Sequence, residues 1–287
     1  MGRTLGIIGP GLIGGSMAVD LRRRHFADSI IGVEKEAVNA AAALSLGIVD
    51  RIVDFDECVR SADILIVAVP VGTAVKMLPR ILDIYAEEGP SCSRIVIDIC
   101  STKGGVVKAV EGHPMRGRYV ATHPMAGTEY SGPWAAQPGL FDSRACIVAD
   151  KAGSDPDAVR TIESMYDTLN MRIIEMDASA HDVHTAYVSH ISHITSFALA
   201  LTVLDKEKDE KHIFDLASGG FSSTVRLAKS SADMWVPIMD ENRDNILHVI
   251  DTYIDKMQLF REAIAGGNLE GIRSLIEESN KIKRILK

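Results

Sequence analysis

Three groups of residues have types and spacings suited to chemistry. The first is a glycine set near the N-terminus. Gly9, Gly11 and Gly14 stand in the G-x-G-x-x-G spacing within TLGIIGPGLIGGSMAVDLRRRHFADSIIGVE (4–34). Gly9 permits a tight turn, Gly11 lets backbone approach a pyrophosphate, and Gly14 lets a helix lie close on a strand. Phosphates would rest on the free N–H groups at the helix start, where Leu12 and Ile13 stand and the helix dipole favours negative charge. Glu34 comes twenty residues after Gly14. A carboxylate there can accept both ribose hydroxyls of an adenosine and repels a 2′-phosphate, which favours NAD over NADP. Lys35 beside it is a cation that could still pair with such a phosphate.

The second group lies at the carboxyl ends of two apolar runs, where open α/β sheets bind ligands. Ser101 and Lys103 follow RIVIDI (94–99), although Ser101 or Thr102 could equally cap a helix starting near Gly105. His123 ends the run 119–122 and precedes Pro124; taken alone it fits a structural loop residue. The third group is C-terminal: histidines 181, 184, 190 and 193, then Arg226. Four clustered histidines suggest a metal, but no carboxylate completes a recognised ligand set, so none is expected. Arg226 alone reads as an exposed helical arginine.

The elements needed to position these groups are legible in the periodicity. Residues 4–34 form a β-α-β unit. KEAVNAAAALSLG (35–47) reads as a helix with a glycine cap. ILIVAV (64–69) is a continuous apolar run, as in a strand covered on both faces of a parallel sheet. Val69 and Pro70 at its end border the adenosine side of a cofactor, or simply pack. A helix follows through Leu82. The Gly/Pro-rich stretch to about Asp142 is long for a structureless loop and suits an active-site cover. Strands at 144–149 and 171–176 flank a helix begun by Ser154, Asp155 and Pro156.

From about Asp177 only helices are expected. Residues 186–204 read as a buried central helix, with Asp182, Ala186, Ser189, His193 and Phe197 on one face. A short helix at 222–230 carries Arg226 and Lys229. A long one is expected from Pro237 to about Ala265, and a last from Leu269 to Ile285. The fold class is therefore α/β, with a Rossmann-type dinucleotide-binding domain over 1–176 and an all-α domain over 177–287. The apolar surface of those helices predicts a homodimer formed through them.

The 287 residues are 46% hydrophobic and 24% charged, ordinary values for a globular protein. Thirty-one basic against 39 acidic residues give a net charge of −8, which disfavours a nucleic-acid partner and obliges any anionic substrate to find local cations. No run approaches the about 18 uninterrupted apolar residues of a membrane span, and Met1 leads almost directly into the first strand, so neither membrane nor signal peptide is expected. Cys58, Cys92, Cys100 and Cys146 lack paired spacing and read as reduced thiols of a cytoplasmic protein.

DICSTKG (98–104), HPMAGTE (123–129), HDVHTAYVSHISH (181–193) and GGFSSTVRLAKSSADMW (219–235), with the glycine set, closely resemble the prephenate and arogenate dehydrogenase family of tyrosine biosynthesis over nearly the full length. The resemblance implies NAD-dependent oxidative decarboxylation of a cyclohexadienyl ring, with prephenate modestly favoured over arogenate. By the same resemblance His123 accepts the ring hydroxyl's proton and Ser101 orients that hydroxyl. Arg226 binds a substrate carboxylate with its two-pronged guanidinium. His193 contacts the substrate side chain, with His190 and Ser189 close by; Thr128 and Glu129 order the mouth of the site; Lys103 helps place the loop or the anion. Cys100 and Ser223 depart from residues common in the family, a glycine and an acid. A monofunctional enzyme is expected, with any tyrosine inhibition acting at or near the active site. The competing readings are a β-hydroxyacid dehydrogenase, whose catalytic lysine has no counterpart on the histidine-bearing helix, and a non-catalytic NAD sensor.

Overall fold

The computed structural model describes residues 2–89, 91–208 and 213–285. It divides into two compact units, Met1–Asn242 and Arg243–Lys287.

The first unit begins with alternating strands and helices: β1 (Thr4–Ile8), α1 (Leu12–Arg23), β2 (Ser29–Val33), α2 (Ala37–Ser45), β3 (Arg51–Ile52), α3 (Phe55–Ser61), β4 (Ile64–Val67), α4 (Val71–Glu87), β5 (Ile95–Asp98), α5 (Gly104–Ala109), β6 (Tyr119–Pro124), β7 (Ala145–Ala149), α6 (Pro156–Thr168) and β8 (Arg172–Met176). The strands form one sheet in the order β3-β2-β1-β4-β5-β6-β7-β8. All neighbours are parallel except β6 and β7. Chain order reverses between β1 and β4, and the crevice at their carboxyl ends is the ligand position of such sheets.

The continuous apolar runs follow from cover on both faces. Ile64 and Ile66 join one core with Leu5, Ile7 and Met17, whereas Leu65 and Val67 join another with Ile8, Leu78 and Ile81. Each buried aliphatic side chain contributes about 1.5–3 kcal/mol relative to exposure.

β3 and α3 were not anticipated from the sequence, although α3 carries a local signal: Asp54 accepts the Glu57 N–H at 2.8 Å in a D-x-x-E start. The stretch after β6 is not a free cover. Buried Ser16 and Asp20 of α1 need partners, and they accept the N–H groups of Gln137 and Gly139, both at 2.9 Å. Phe141 is buried beside them. The loop is thereby fastened to the helix that follows the glycine turn.

Helices continue the first unit: α7 (Ala178–Thr185), a π-helical turn (Ala186–His190), α8 (Ile191–Glu207), α9 (Gly219–Thr224), a 3-10 turn (Arg226–Lys229) and α10 (Ala232–Glu241). The expected division at 176/177 does not coincide with the compact units. Asp182 of α7 accepts the N–H groups of Lys103 and Gly104, tying the first helices to the sheet. In the π-helical turn His190 is also buried, alongside Asp182 and Ala186 of the expected face, while Ser189 is only partly so. Expected to be central and buried, this helix instead leaves Val188, Leu201 and Leu204 at least half exposed, because the described chain does not cover them. The stretch Ala178–Glu207 has the length and composition of a membrane span, with 11% of its most apolar window buried.

The second unit contains α11 (Arg243–Ala265), α12 (Leu269–Ser279) and a 3-10 turn (Asn280–Arg284). The single helix expected from Pro237 to Ala265 is in fact two, because the chain breaks at Asn242, whose side chain donates to the Asp182 carbonyl at 2.7 Å. Ile246 and Val249 are buried, but Tyr253, Ile254, Met257 and Ile264 farther along α11 are exposed.

Candidate active site

At the carboxyl end of β1 the glycine turn has the shape its spacing predicts. Gly9 has φ +87°, and a Cβ on it would lie 2.6 Å from the Ala68 carbonyl oxygen. A Cβ on Gly14 would lie 2.8 Å from both the Ala68 side chain and the Gly9 oxygen, so α1 can approach the sheet only with glycine there. Gly11 instead faces open space, its nearest neighbour being Gly132 of the fastened loop at 3.9 Å. Helix α1 then starts at Leu12 with no side-chain cap, leaving its first N–H groups for an anion. These features fit a dinucleotide pyrophosphate.

Glu34 follows β2 directly, next to the turn that Gly9 fastens by donating to the Val33 oxygen. One Glu34 oxygen accepts the Glu36 N–H at 3.0 Å. Lys35 is 89% exposed and leans toward Glu36. Val69 packs against Gly9, and exposed Pro70 starts α4.

Ser101 and His123 extend from the carboxyl ends of neighbouring parallel strands, because Asp98 of β5 is in register with Ala121 of β6. The Ser101 hydroxyl has no hydrogen-bond partner among the described residues. His123 has one: its Nδ1 lies 2.8 Å from Nε2 of His181, whose own Nδ1 lies 2.8 Å from an Asp182 oxygen. Burial, reinforced by His181, Lys103 and His190, holds the His123 imidazole well below its usual range and hence neutral at neutral pH. It is available as a proton acceptor. The sequence reading grouped His181 with the other histidines and Asp182 with a helix face, without giving either a role at His123.

Lys103 is a correction. Read as helping to place the loop or a substrate anion, it is 0% exposed, and its ammonium pairs with buried Asp98 and donates to the Thr122 carbonyl. Asp98 also accepts from the Tyr119 hydroxyl at 2.7 Å and the Cys100 N–H at 2.9 Å. A buried cation must satisfy its donors inside the fold, so Lys103 is consumed beneath the site instead of facing a ligand.

Arg226 donates to Glu129 of the post-β6 loop at 3.2 Å and remains half exposed. Thr128 accepts the Tyr130 N–H at 3.3 Å. Ser196 of α8 donates to the Thr224 carbonyl, holding α8 against the segment that carries Arg226. His193 stacks on Trp235, ring centroids 3.7 Å apart, and donates through Nδ1 to the Ser189 carbonyl. His190 meets the same indole edge-on and contacts Asn242; burial pushes it down to about 4. Burial also lowers His193. His184 is exposed. The Trp235 indole N–H and the Thr102 hydroxyl are buried without a partner among the described residues. Trp235 closes the motif 219–235 but was given no role in the sequence reading, and it lies between the helices expected at 222–230 and from Pro237.

The site therefore joins a dinucleotide cradle, a neutral imidazole at an adjacent strand end, and a guanidinium on the helical segment. Known proteins are similar to this chain over nearly its full length. The model of the prephenate dehydrogenase nucleotide-binding domain matches residues 17–175, and that of the prephenate dehydrogenase dimerization domain matches 177–278. A prephenate dehydrogenase of Bacillus subtilis is 32% identical over 271 residues, covering 94% of this chain and 72% of that protein. A cyclohexadienyl dehydrogenase of Zymomonas mobilis is 31% identical over 293 residues, covering 99% and 96%. Among solved structures, prephenate dehydrogenase from A. aeolicus in complex with hydroxyphenyl propionate and NAD+ superposes with a TM-score of 0.86 at 28% identity, covering 99% of this chain and 97% of that one. With two family models spanning most of its length and the same fold throughout, the chain belongs to the prephenate dehydrogenase family.

Proposed function

We propose that the protein is an NAD-dependent prephenate dehydrogenase, converting prephenate to 4-hydroxyphenylpyruvate and carbon dioxide in tyrosine biosynthesis. The observation that carries this reading is His123: a neutral imidazole at the strand end beside Ser101, in a sheet whose β1 ends in a dinucleotide cradle. Bound NAD supplies the hydride acceptor. Gly9, Gly11, Leu12, Ile13 and Gly14 hold its pyrophosphate, Glu34 its ribose, and Val69 and Pro70 border its adenosine side.

Ser101 orients the ring hydroxyl. His123 takes the hydroxyl proton as hydride leaves the same carbon. The ring carboxylate then departs as carbon dioxide, its bonding electrons complete the aromatic ring, and His123 returns the proton to the phenolate oxygen. Arg226 binds a substrate carboxylate, and His193, His190 and Ser189 border the side chain. Arogenate would present an ammonium in place of the keto group. Glu129, which Arg226 holds until a substrate carboxylate displaces it, is a carboxylate able to meet it, so the preference for prephenate rests on the prephenate dehydrogenases among the relatives.

The helical segment from 177 onward serves as the dimerisation domain. Exposed Val188 in the π-helical turn, Leu201 and Leu204 on α8, and Ile254 and Met257 on α11 support a homodimer, and we read the apolar stretch 178–207 as subunit interface, not membrane span. Light scattering should give twice the chain mass; a monomer at micromolar concentration contradicts this assembly. Four buried free thiols support a cytoplasmic location.

The test is NADH formation by purified protein, with prephenate and arogenate crossed against NAD and NADP. Turnover of prephenate with NAD is expected. His123→Asn should lower kcat by ~10²–10⁴ with modest change in KM. Near-normal kcat in that variant would end the assignment of the base.

A further inference from the structure

We infer that Asp182, acting through His181, is a positioning residue that fixes the tautomer of His123 and thereby selects Nε2 as its proton-accepting atom. This rests on the reading of His123 as the base.

The assignment follows from what each atom can do. A carboxylate oxygen only accepts, so the 2.8 Å contact between Asp182 Oδ1 and His181 Nδ1 puts the proton on that nitrogen. Burial, opposed by Asp182, lowers His181 and favours its neutral form. Its Nε2 is therefore an acceptor. The 2.8 Å contact to His123 then requires His123 Nδ1 to donate, and the remaining lone pair lies on His123 Nε2.

The same carboxylate reaches the second group that meets the substrate hydroxyl. Asp182 Oδ1 also accepts the Lys103 N–H at 2.7 Å, and Oδ2 accepts the Gly104 N–H at 2.8 Å. These bonds pin the segment that begins at Ser101. One side chain thus sets the rotation of the base and the loop of its hydroxyl partner. Three donors, His181 Nδ1 and the N–H groups of Lys103 and Gly104, hold it in place, and its backbone carbonyl accepts from Asn242.

When His123 takes a proton, the imidazolium Nδ1–H still points at the His181 lone pair, and the Asp182 carboxylate beyond offsets the new charge. The groups facing His123 are His181 from α7, Lys103 from the segment before α5, and His190 from the π-helical turn, with Asp98 behind Lys103. Of the two carboxylates, only Asp182 is linked to His123 by hydrogen bonds through an imidazole.

Two sets of variants and one spectrum test this. In the full-length protein labelled with ¹⁵N-histidine, His123 and His181 should both show Nδ1 protonated and Nε2 bare. In Asp182→Asn that pattern should be lost, kcat should fall by ~10²-fold or more, and the acidic limb of the kcat profile should move to lower pH. A Gln carbonyl can replace the His181 acceptor and a Phe ring cannot. His181→Gln should therefore keep kcat within ~10-fold of wild type, while His181→Phe loses ~10²-fold or more. Calorimetric NAD affinity, unchanged in all three, certifies the fold. Equal losses in the Gln and Phe variants, an unmoved acidic limb in Asp182→Asn, or Nε2 protonated on His123 would each overturn the inference. A wild-type protein that shows the tautomers yet leaves prephenate untouched would refute the proposed activity and not the tautomer assignment.

Discussion

Lys103→Met separates the two roles that Lys103 could have. In the structure it forms an ion pair with Asp98 in which both side chains are 0% exposed. Removing one partner of such a pair costs about 3–5 kcal/mol, because the other charge stays buried. Asp98 would retain the Tyr119 hydroxyl and the Cys100 N–H, which places the loss near the lower end, about 3 kcal/mol. That is a change of about 100-fold in the unfolding equilibrium. With a urea slope of about 3 kcal/mol per molar for a chain of this size, the midpoint should fall by about 1 M at fixed protein concentration. Adding Asp98→Asn removes the stranded charge while keeping an acceptor for Tyr119, and should restore about 2 kcal/mol. Lys103 also lowers His123, so the folded variant should lose activity at a higher pH on acidification than wild type does. A variant as stable as wild type with a tenfold higher KM for prephenate would refute this reasoning and return Lys103 to the substrate.

Arg226→Ala should raise KM for prephenate by ~10–100-fold with kcat less affected, the worth of one charge-assisted hydrogen bond; an unchanged KM moves the carboxylate site elsewhere. Glu129→Gln removes the anion that Arg226 holds, and should lower KM by up to ~5-fold in steady-state assays; a higher KM would mean that Glu129 itself contacts substrate. Gly14→Ala puts a Cβ 2.8 Å from two neighbours and should cost about 1–3 kcal/mol of overpacking between α1 and the sheet, weakening NAD by ~10-fold in calorimetry. His190, lowered from 6.5 to about 4, stays neutral in the folded chain while the unfolded chain takes up a proton. Stability should therefore be level above pH 6.5 and fall on acidification from there toward pH 4, by on the order of 3 kcal/mol from this group. Chemical denaturation at stepped pH would expose a flat profile as a contradiction.

Residues whose role is local were readable from the sequence. Gly9, Gly11 and Gly14 act through backbone shape within a few residues, and the run 64–69 shows two-sided burial by its lack of alternation. The reading failed where function depends on distant partners. Lys103 lies within the segment that Asp182 pins, yet its buried state is decided by Asp98 and by Thr122 on another strand. Asp182 and His181 gain their meaning from His123, 58 residues before His181. The burial of His190 beside the face 182–197 was not legible because a π-helical turn leaves no period in the sequence. The apolar sides of α8 and α11 are exposed in the single chain, and the homodimer proposed above would cover them, since apolar patterning records a covering surface without saying which molecule provides it.

The charge balance completes the physical picture of substrate binding. A protein of net charge −8 must attract an anion with few local cations. Lys103 is spent within the fold, and Arg226 already pairs with Glu129. The second pair is partly exposed, with Arg226 at 52% and Glu129 at 22%, so breaking it costs no more than about 1 kcal/mol. A substrate carboxylate at Arg226 would exchange one anion for another and leave the local charge on the guanidinium unchanged. A carboxylate that approaches with planar, two-pronged geometry replaces the single 3.2 Å contact of Glu129 with two parallel bonds, so geometry and not net attraction decides which anion is held. In the role proposed for Arg226, a lysine would provide a point charge without that preference for a planar partner.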